Sequence, residues 1–186
     1  QVSALSTDAV TAFTQNQIKQ LTTEAVSGLS KAQVSELPIK AVKGFTADQV
    51  EQLPKRSFKA LEPVQLAKLS KDAVTGLTTG QLKTLSGDEL AAFKPGKIKA
   101  ISAESISALK PASLDDLSKQ QVKALTDDQL AGLSKKQIRR ADDFIDALSI
   151  QQLAKLSFNP ARSNRLTDPL EQLNDLEFAT GQELLA

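Results

Sequence analysis

Apolar residues along this chain fall on a beat of eight. The stretch 22–37 reads TTEAVSGL followed by SKAQVSEL. Each octad opens on Ser or Thr, carries a branched or Leu-type residue at its fifth place, and closes on Leu or Phe. From residue 6 to residue 141 this frame runs without a slip through seventeen octads, numbered 1 to 17 below. The fifth place is Val, Ile, Leu or Phe throughout, from Val10 to Ile138. The eighth is Leu, Phe or Ile from Phe13 to Leu133, and the series ends on Ala141. An internal repeat of this regularity decides the architecture before any single residue does.

One continuous helix is ruled out. Eight residues at about 100° each overshoot two turns by roughly 80°, so the apolar stripe would wind around the rod instead of holding one seam. Prolines at 38, 54, 63, 95 and 111 would also break it. Each octad instead predicts its own short helix. Place 1 is Ser or Thr in twelve of the seventeen octads, an N-cap whose hydroxyl accepts from an orphan backbone N–H. Eight of those twelve carry Gln or Glu three residues on, as in Thr14/Gln17, Ser30/Gln33, Thr46/Gln49 and Ser86/Glu89, which is the capping box. Acids at place 3, such as Asp8, Glu24, Asp48 and Asp72, favour the positive end of the helix dipole. The remaining five octads have Pro at the cap place (Pro38, Pro54) or just after it (Pro63, Pro95, Pro111), where Pro is tolerated. Helices this short do not persist alone, since nucleation is costly, and must stack on neighbours.

A second period lies beneath the first. At place 7, alternate octads carry Ala12, Gly28, Gly44, Ala60 and Gly76, and the interleaved ones carry Gln20, Glu36, Gln52, Lys68 and Thr84. At place 4, Ala9, Ala25, Ala41, Ser57 and Ala73 alternate with Gln17, Gln33, Gln49, Gln65 and Gln81. The expected fold is therefore an all-α, right-handed α-solenoid of very short capped helices. Its coils would have 16 residues and two helices, with Gly28 and its equivalents at close approaches. At about 8–10 Å per coil, eight or nine coils predict a rod roughly 70–85 Å long. The opening QVSAL fits places 4 to 8 of an octad, so the frame predicts a start within a repeat of a longer polypeptide, an expectation shared by the lack of Met. After Ala141 the rule loosens: DDFIDAL is a seven-residue copy and SIQQLAKL recovers the octad. Thr167-Asp168-Pro169 then predicts a longer amphipathic helix through Leu170, Leu173, Leu176 and Phe178. The expected division is a repeat region over 1–141 and a C-terminal cap over 142–186.

Composition narrows the chemistry. With no His and no Cys among 186 residues, a Ser-His-Asp triad, a thiolate nucleophile and the usual zinc sites are excluded. Lys and Arg (23) nearly balance Asp and Glu (22), unlike a dedicated nucleic-acid binder. No apolar run is long enough to span a membrane. The acidic pairs Asp115/Asp116, Asp127/Asp128 and Asp142/Asp143 lack a calcium loop's D-x-D-x-D-G pattern. The Gln series could form a ligand ladder, but capping boxes already account for it. The densest basic cluster is Lys135, Lys136, Arg139 and Arg140, the one candidate contact for an anion or an acidic partner. These residues point to no catalytic site, cofactor or metal, and an enzyme is not expected.

The phrases LTTEAVSGL, LSKAQVSEL, LSKQQVKAL and LTDDQLAGL resemble the tandem "LTxxQVxxL" arrays of large secreted or surface-attached bacterial proteins of adhesin type. A fainter similarity is to the mesothelin and stereocilin group. Neither brings a catalytic motif. The resemblance implies a non-enzymatic stalk, spacer or adhesin segment at a bacterial cell surface. Its partners would be other domains of the same polypeptide and a surface protein or glycan. The alternatives are a solenoid whose exposed face grips a peptide or glycan and, more distantly, an intracellular scaffold.

Overall fold

The computed structural model describes residues 2–156. Over these residues it holds eighteen α-helices of four to six residues, two 3-10 helices and no strand. The division into a repeat region and a cap stays an expectation beyond residue 156, and the helix expected from Thr167 lies outside the described residues.

Each octad is built the same way. In octad 3, Thr22 is extended (φ −70°, ψ 155°) and its hydroxyl accepts from the Ala25 N–H, opening the helix Thr23–Ser27. The Val26 N–H bonds the Thr22 carbonyl at 3.0 Å, and the Leu29 N–H bonds the Val26 carbonyl at 3.1 Å, closing the turn. All twelve Ser or Thr caps accept the expected bond, and all eight expected capping boxes form. Octad 5 departs: behind Pro38 the N–H groups of Ala41 and Val42 both bond the Pro38 carbonyl, and the element is the 3-10 helix Ala41–Gly44. The helices stop because place 8 returns to extended backbone, as at Leu21 (ψ 140°) and Leu53 (ψ 121°). The chain then turns into the next cap.

Places 5 and 8 form the core. From Val10 to Leu130 every place 5 residue is at most 1% exposed, and from Leu29 to Leu133 every place 8 residue is at most 6% exposed. Place 8 is only partly buried in octads 1 and 2, at Phe13 and Leu21.

The packing period corrects the 16-residue coil. Up to residue 141, helices in substantial contact are always three octads apart: Thr23–Ser27 on Ala47–Gln52, Lys31–Ser35 on Lys55–Phe58, Gly87–Ala91 on Pro111–Asp115, Lys119–Lys123 on Pro95–Ile98. The stacking unit is thus three helices and 24 residues, not two and 16. The alternation at place 7 misled because it is not a general packing distinction. Gly28 is exposed, and a Cβ there would meet nothing nearer than ordinary contact, 3.4 Å from the Ala25 carbonyl and 3.6 Å from Ser3.

Two glycines do mark close approaches to backbone, and at a third, Gly87, an added Cβ would overlap the Asp116 side chain. A Cβ on Gly44 would overlap the Gln15 carbonyl, and one on Gly76 the Ala47 carbonyl; in each case place 7 lies against place 2 three octads earlier. No glycine has a positive φ among the described residues, so the requirement here is room and not backbone freedom. At Gly96, inside the helix Pro95–Ile98, an added Cβ would have nothing within 4 Å of it. Gly44→Ala is expected to cost about 1–3 kcal/mol by forcing backbone apart. Gly96→Ala should add about 0.5–1 kcal/mol through helix propensity and a less mobile unfolded chain. Urea midpoints of the two variants moving in the same direction would contradict this assignment.

The seven-residue copy 142–148 is accommodated without a local cap. Ala141 precedes the helix Asp142–Asp146 at φ −132° and offers no side-chain bond. The Asp115 carboxylate of octad 14 accepts the Phe144 N–H at 3.0 Å instead. After the slip, Ser149 and Gln152 restore the capping box.

Candidate functional site

The Gln column is the most regular polar feature, and each amide has two roles. In octad 6, Gln49 Oε1 accepts the Thr46 N–H at 3.0 Å, completing the capping box. Its Nε2 donates to the carbonyls of Ile18 (2.9 Å) and Leu21 (2.7 Å), four octads earlier. Gln33, Gln81, Gln121 and Gln129 repeat the same reach, each bonding the place 5 and place 8 carbonyls at 2.7–2.9 Å. Gln65 holds the Leu37 carbonyl at 2.8 Å and Gln137 the Ser107 and Leu109 carbonyls. The place 8 carbonyl is a helix-end acceptor without a partner in its own octad, so this bond answers the orphan-group problem of so many helix ends. Gln33, Gln49, Gln65, Gln81, Gln121, Gln129 and Gln137 are 1–7% exposed and therefore offer no ligand ladder to solvent.

Substitutions in this column keep the carbonyl in view. Ser57 and Ser105 donate their hydroxyls to the Leu29 and Leu77 carbonyls at 2.7 Å. Lys97 sends Nζ to the Ala67 carbonyl at 2.6 Å. Burial, and after it the charges of Lys94 and Lys68, hold its ammonium below the usual lysine range.

Glu89 is the one acid in the column. It keeps the cap bond to the Ser86 N–H at 2.7 Å but cannot donate backwards, and Lys59 of octad 7 meets its carboxylate at 2.6 and 2.8 Å. Burial pushes the Glu89 carboxyl up. The hydrogen bonds from Lys59 and Ser86, with the Lys59 charge, outweigh that and hold it below the ordinary value of 4.5. A depressed folded value means that the pair stabilises the fold above this range and loses its effect as pH falls through it. Glu89→Gln should remove that acid dependence and change stability at neutral pH by less than about 1 kcal/mol. The new amide would face the Phe58 and Leu61 carbonyls, the positions its neighbours in the column hold. Thermal melts of both proteins between pH 3 and 7 check this; parallel pH profiles would refute it.

The candidate cations Lys135, Lys136, Arg139 and Arg140 lie on the helix Lys135–Ile138 and its exit. Lys135 is half-buried and the other three are exposed. None pairs with a described acid; the two ion pairs among the described residues are Lys59–Glu89 and Lys155–Asp127. Octad 17 packs on octad 14, whose Asp115 is engaged with Phe144. The structure therefore groups the four cations by sequence adjacency alone. Asp127 and Asp128 sit in the first turn of Asp127–Ala131, and Asp142 and Asp143 in that of Asp142–Asp146. Among the described residues no group of three or more Asp, Glu, His or Cys side chains is placed to hold a metal ion.

Two surface hollows were not foreseen from the sequence. One lies at the first octads among Val2, Gln20, Leu21, Glu24 and Gly28. The other has Pro54, Lys55, Arg56 and Lys59 of octad 7 beside Thr84 of octad 10, with exposed Lys83 next in the chain. The signal for the second was a 24-residue spacing, from Lys59 to Lys83, which a 16-residue frame hides.

No protein-family model matches this chain, and no curated protein matches it.

Proposed function

We propose that this chain is a non-enzymatic spacer segment of a larger secreted or cell-surface bacterial protein, a right-handed solenoid with three short helices per coil. The observation that supports it is the place 4 column: Gln side chains bond carbonyls four octads back from Gln33 to Gln81 and again from Gln121 to Gln152, and Ser57, Lys97 and Ser105 reach back in the same way. Repeated ties of this kind resist bending and slippage between coils, the property a spacer needs, and they leave the buried polar column closed to ligands. No described helix is long and apolar enough to cross a membrane. With 24 residues per coil the described part makes about six coils, and at roughly 8–10 Å each the rod is about 50–60 Å long, shorter than a two-helix coil would give.

Small-angle scattering tests the reading. The radius of gyration should lie only about 2 Å above the approximately 16 Å of a compact domain of this length, but the pair-distance distribution should have the long tail of a rod. Deleting three octads, 54–77, should shorten the particle by about one helix spacing, roughly 8–10 Å, and leave helicity per residue unchanged. A compact particle, or loss of folding on that in-frame deletion, would count against a solenoid spacer. The hollow at Lys55, Arg56 and Lys59 is the observation that favours a second reading, a face that grips an acidic peptide or glycan.

A further inference from the structure

Stacking every third octad gathers charges that look scattered along the chain. Octads 3, 6, 9, 12 and 15 form one continuous stack through Thr23–Ser27, Ala47–Gln52, Lys71–Thr75, Pro95–Ile98 and Lys119–Lys123, each helix packed on the next. Octads 3 and 6 carry Glu24, Asp48 and Glu51 and no cation. Octad 9 carries one charge of each sign, Lys71 and Asp72. Octads 12 and 15 carry Lys94, Lys97, Lys99, Lys119 and Lys123 and no anion. All of these are exposed except the half-buried Lys97, and none is ion-paired with a described residue. Places 2, 3 and 6 of a helix lie on one side of it, three and four residues apart, so most of these charges share the outward side of the stack.

We propose that this face pairs with the same face of a second copy of the chain, antiparallel, about a two-fold axis at octad 9. In that arrangement octad 3 meets octad 15, octad 6 meets octad 12, and Lys71 meets the partner's Asp72. The acidic end of each copy lies on the basic end of the other. A two-fold contact requires a self-complementary surface, and a charge gradient with a balanced midpoint is one. The parallel arrangement would set acid on acid and lysine on lysine. The neighbouring stack lacks this symmetry: its octads 7 and 10 are basic (Lys55, Arg56, Lys59, Lys83) and acids lie on both sides, at Asp8 and at Glu104, Asp127 and Asp128. Exposed ion pairs are individually weak and screened by salt, so the association is reversible and strongest at low ionic strength. This inference rests on the 24-residue packing and not on the spacer reading.

Sedimentation equilibrium of the full 186-residue chain tests it. The association constant should fall by about tenfold or more between about 20 mM and about 500 mM salt. The pair Lys94→Glu/Lys99→Glu turns octad 12 acidic against the partner's acidic octad 6, and Asp48→Lys/Glu51→Lys turns octad 6 basic against the partner's basic octad 12. Each variant alone should associate at least about tenfold more weakly, and an equimolar mixture, in which every octad 6 again meets an octad 12 of opposite sign, should recover most of the wild-type constant. All four positions are exposed, so circular dichroism should show unchanged helicity. A wild type that stays monomeric at low salt overturns the proposal, as does association indifferent to salt, or a mixture no tighter than its components. A monomeric wild type that binds polyglutamate through Lys119 and Lys123 would overturn it too, assigning the basic end to a foreign acidic partner.

Discussion

Gln81→Leu should destabilise the protein by about 2–5 kcal/mol, although it replaces a polar side chain in the interior with an apolar one of similar size. Gln81 is 1% exposed. Its Oε1 accepts the Thr78 N–H at 3.0 Å, and its Nε2 donates to the Val50 and Leu53 carbonyls at 2.7 and 2.9 Å. Leucine removes all three bonds and leaves backbone groups buried, each at the cost of an unmade hydrogen bond. Gln17→Leu is the internal control. Gln17 is exposed and its described bonds are those to its own cap, so its loss should cost no more than about 1 kcal/mol. Gln81→Glu separates the two roles: the cap bond survives, but a carboxylate oxygen then faces two carbonyl oxygens. Its folded pKa should rise, so its deficit should be largest at neutral pH and shrink as pH falls through that raised value. That is the opposite sign to Glu89, where Lys59 supplies the donor. Urea titrations at pH 7 and pH 4 read both; equal midpoints for Gln81→Leu and Gln17→Leu would remove the inter-coil tie from the account.

Phe58→Ala should cost about 3–5 kcal/mol. Phe58 is fully buried at place 5 of octad 7, a place filled by Val, Ile or Leu in the other sixteen octads of the run. Its helix, Lys55–Phe58, packs between Lys31–Ser35 on one side and Thr79–Leu82 on the other, so a cavity there loosens contacts in both directions. Lys55→Ala on the same helix, at an exposed position, should change stability by less than about 0.5 kcal/mol. A Phe58→Ala midpoint within the range of Lys55→Ala would show that the site collapses onto a smaller side chain without penalty.

Local structure was legible because its causes are local. An N-cap and the N–H it serves lie three residues apart, as Thr22 and Ala25 do, so the sequence carries the whole interaction. The same holds for the capping boxes and for the burial of places 5 and 8. The packing period was not legible in the same way. Nothing between Leu21 and Thr22 states how far the chain turns, and the alternation of Gly28 with Glu36 suggested an answer that the packing does not follow. Gly44 and Gly76 are required by backbone approaches from residues 29 positions earlier, whereas Gly28, with the same place and neighbours, is not.

The candidate cations illustrate the same limit. Lys135, Lys136, Arg139 and Arg140 stood out because they are adjacent in sequence, and the structure adds no convergent partner to them. The basic hollow at Lys55, Arg56 and Lys59, and the charge gradient from Glu24 to Lys123, became visible only when residues 24 apart were placed side by side.

By itself, then, the sequence determined the unit: a capped helix of little more than one turn, two buried apolar residues per octad, and the absence of His and Cys chemistry. These depend on interactions reaching three to five residues. The tertiary structure decided the assembly: three octads per stacking period, the second role of the Gln amide, the two glycines that must stay glycine, and the grouping of charge on one face. These depend on partners 24 to 31 residues away, and that distance is set by the angle between successive helices, a quantity written in no single octad.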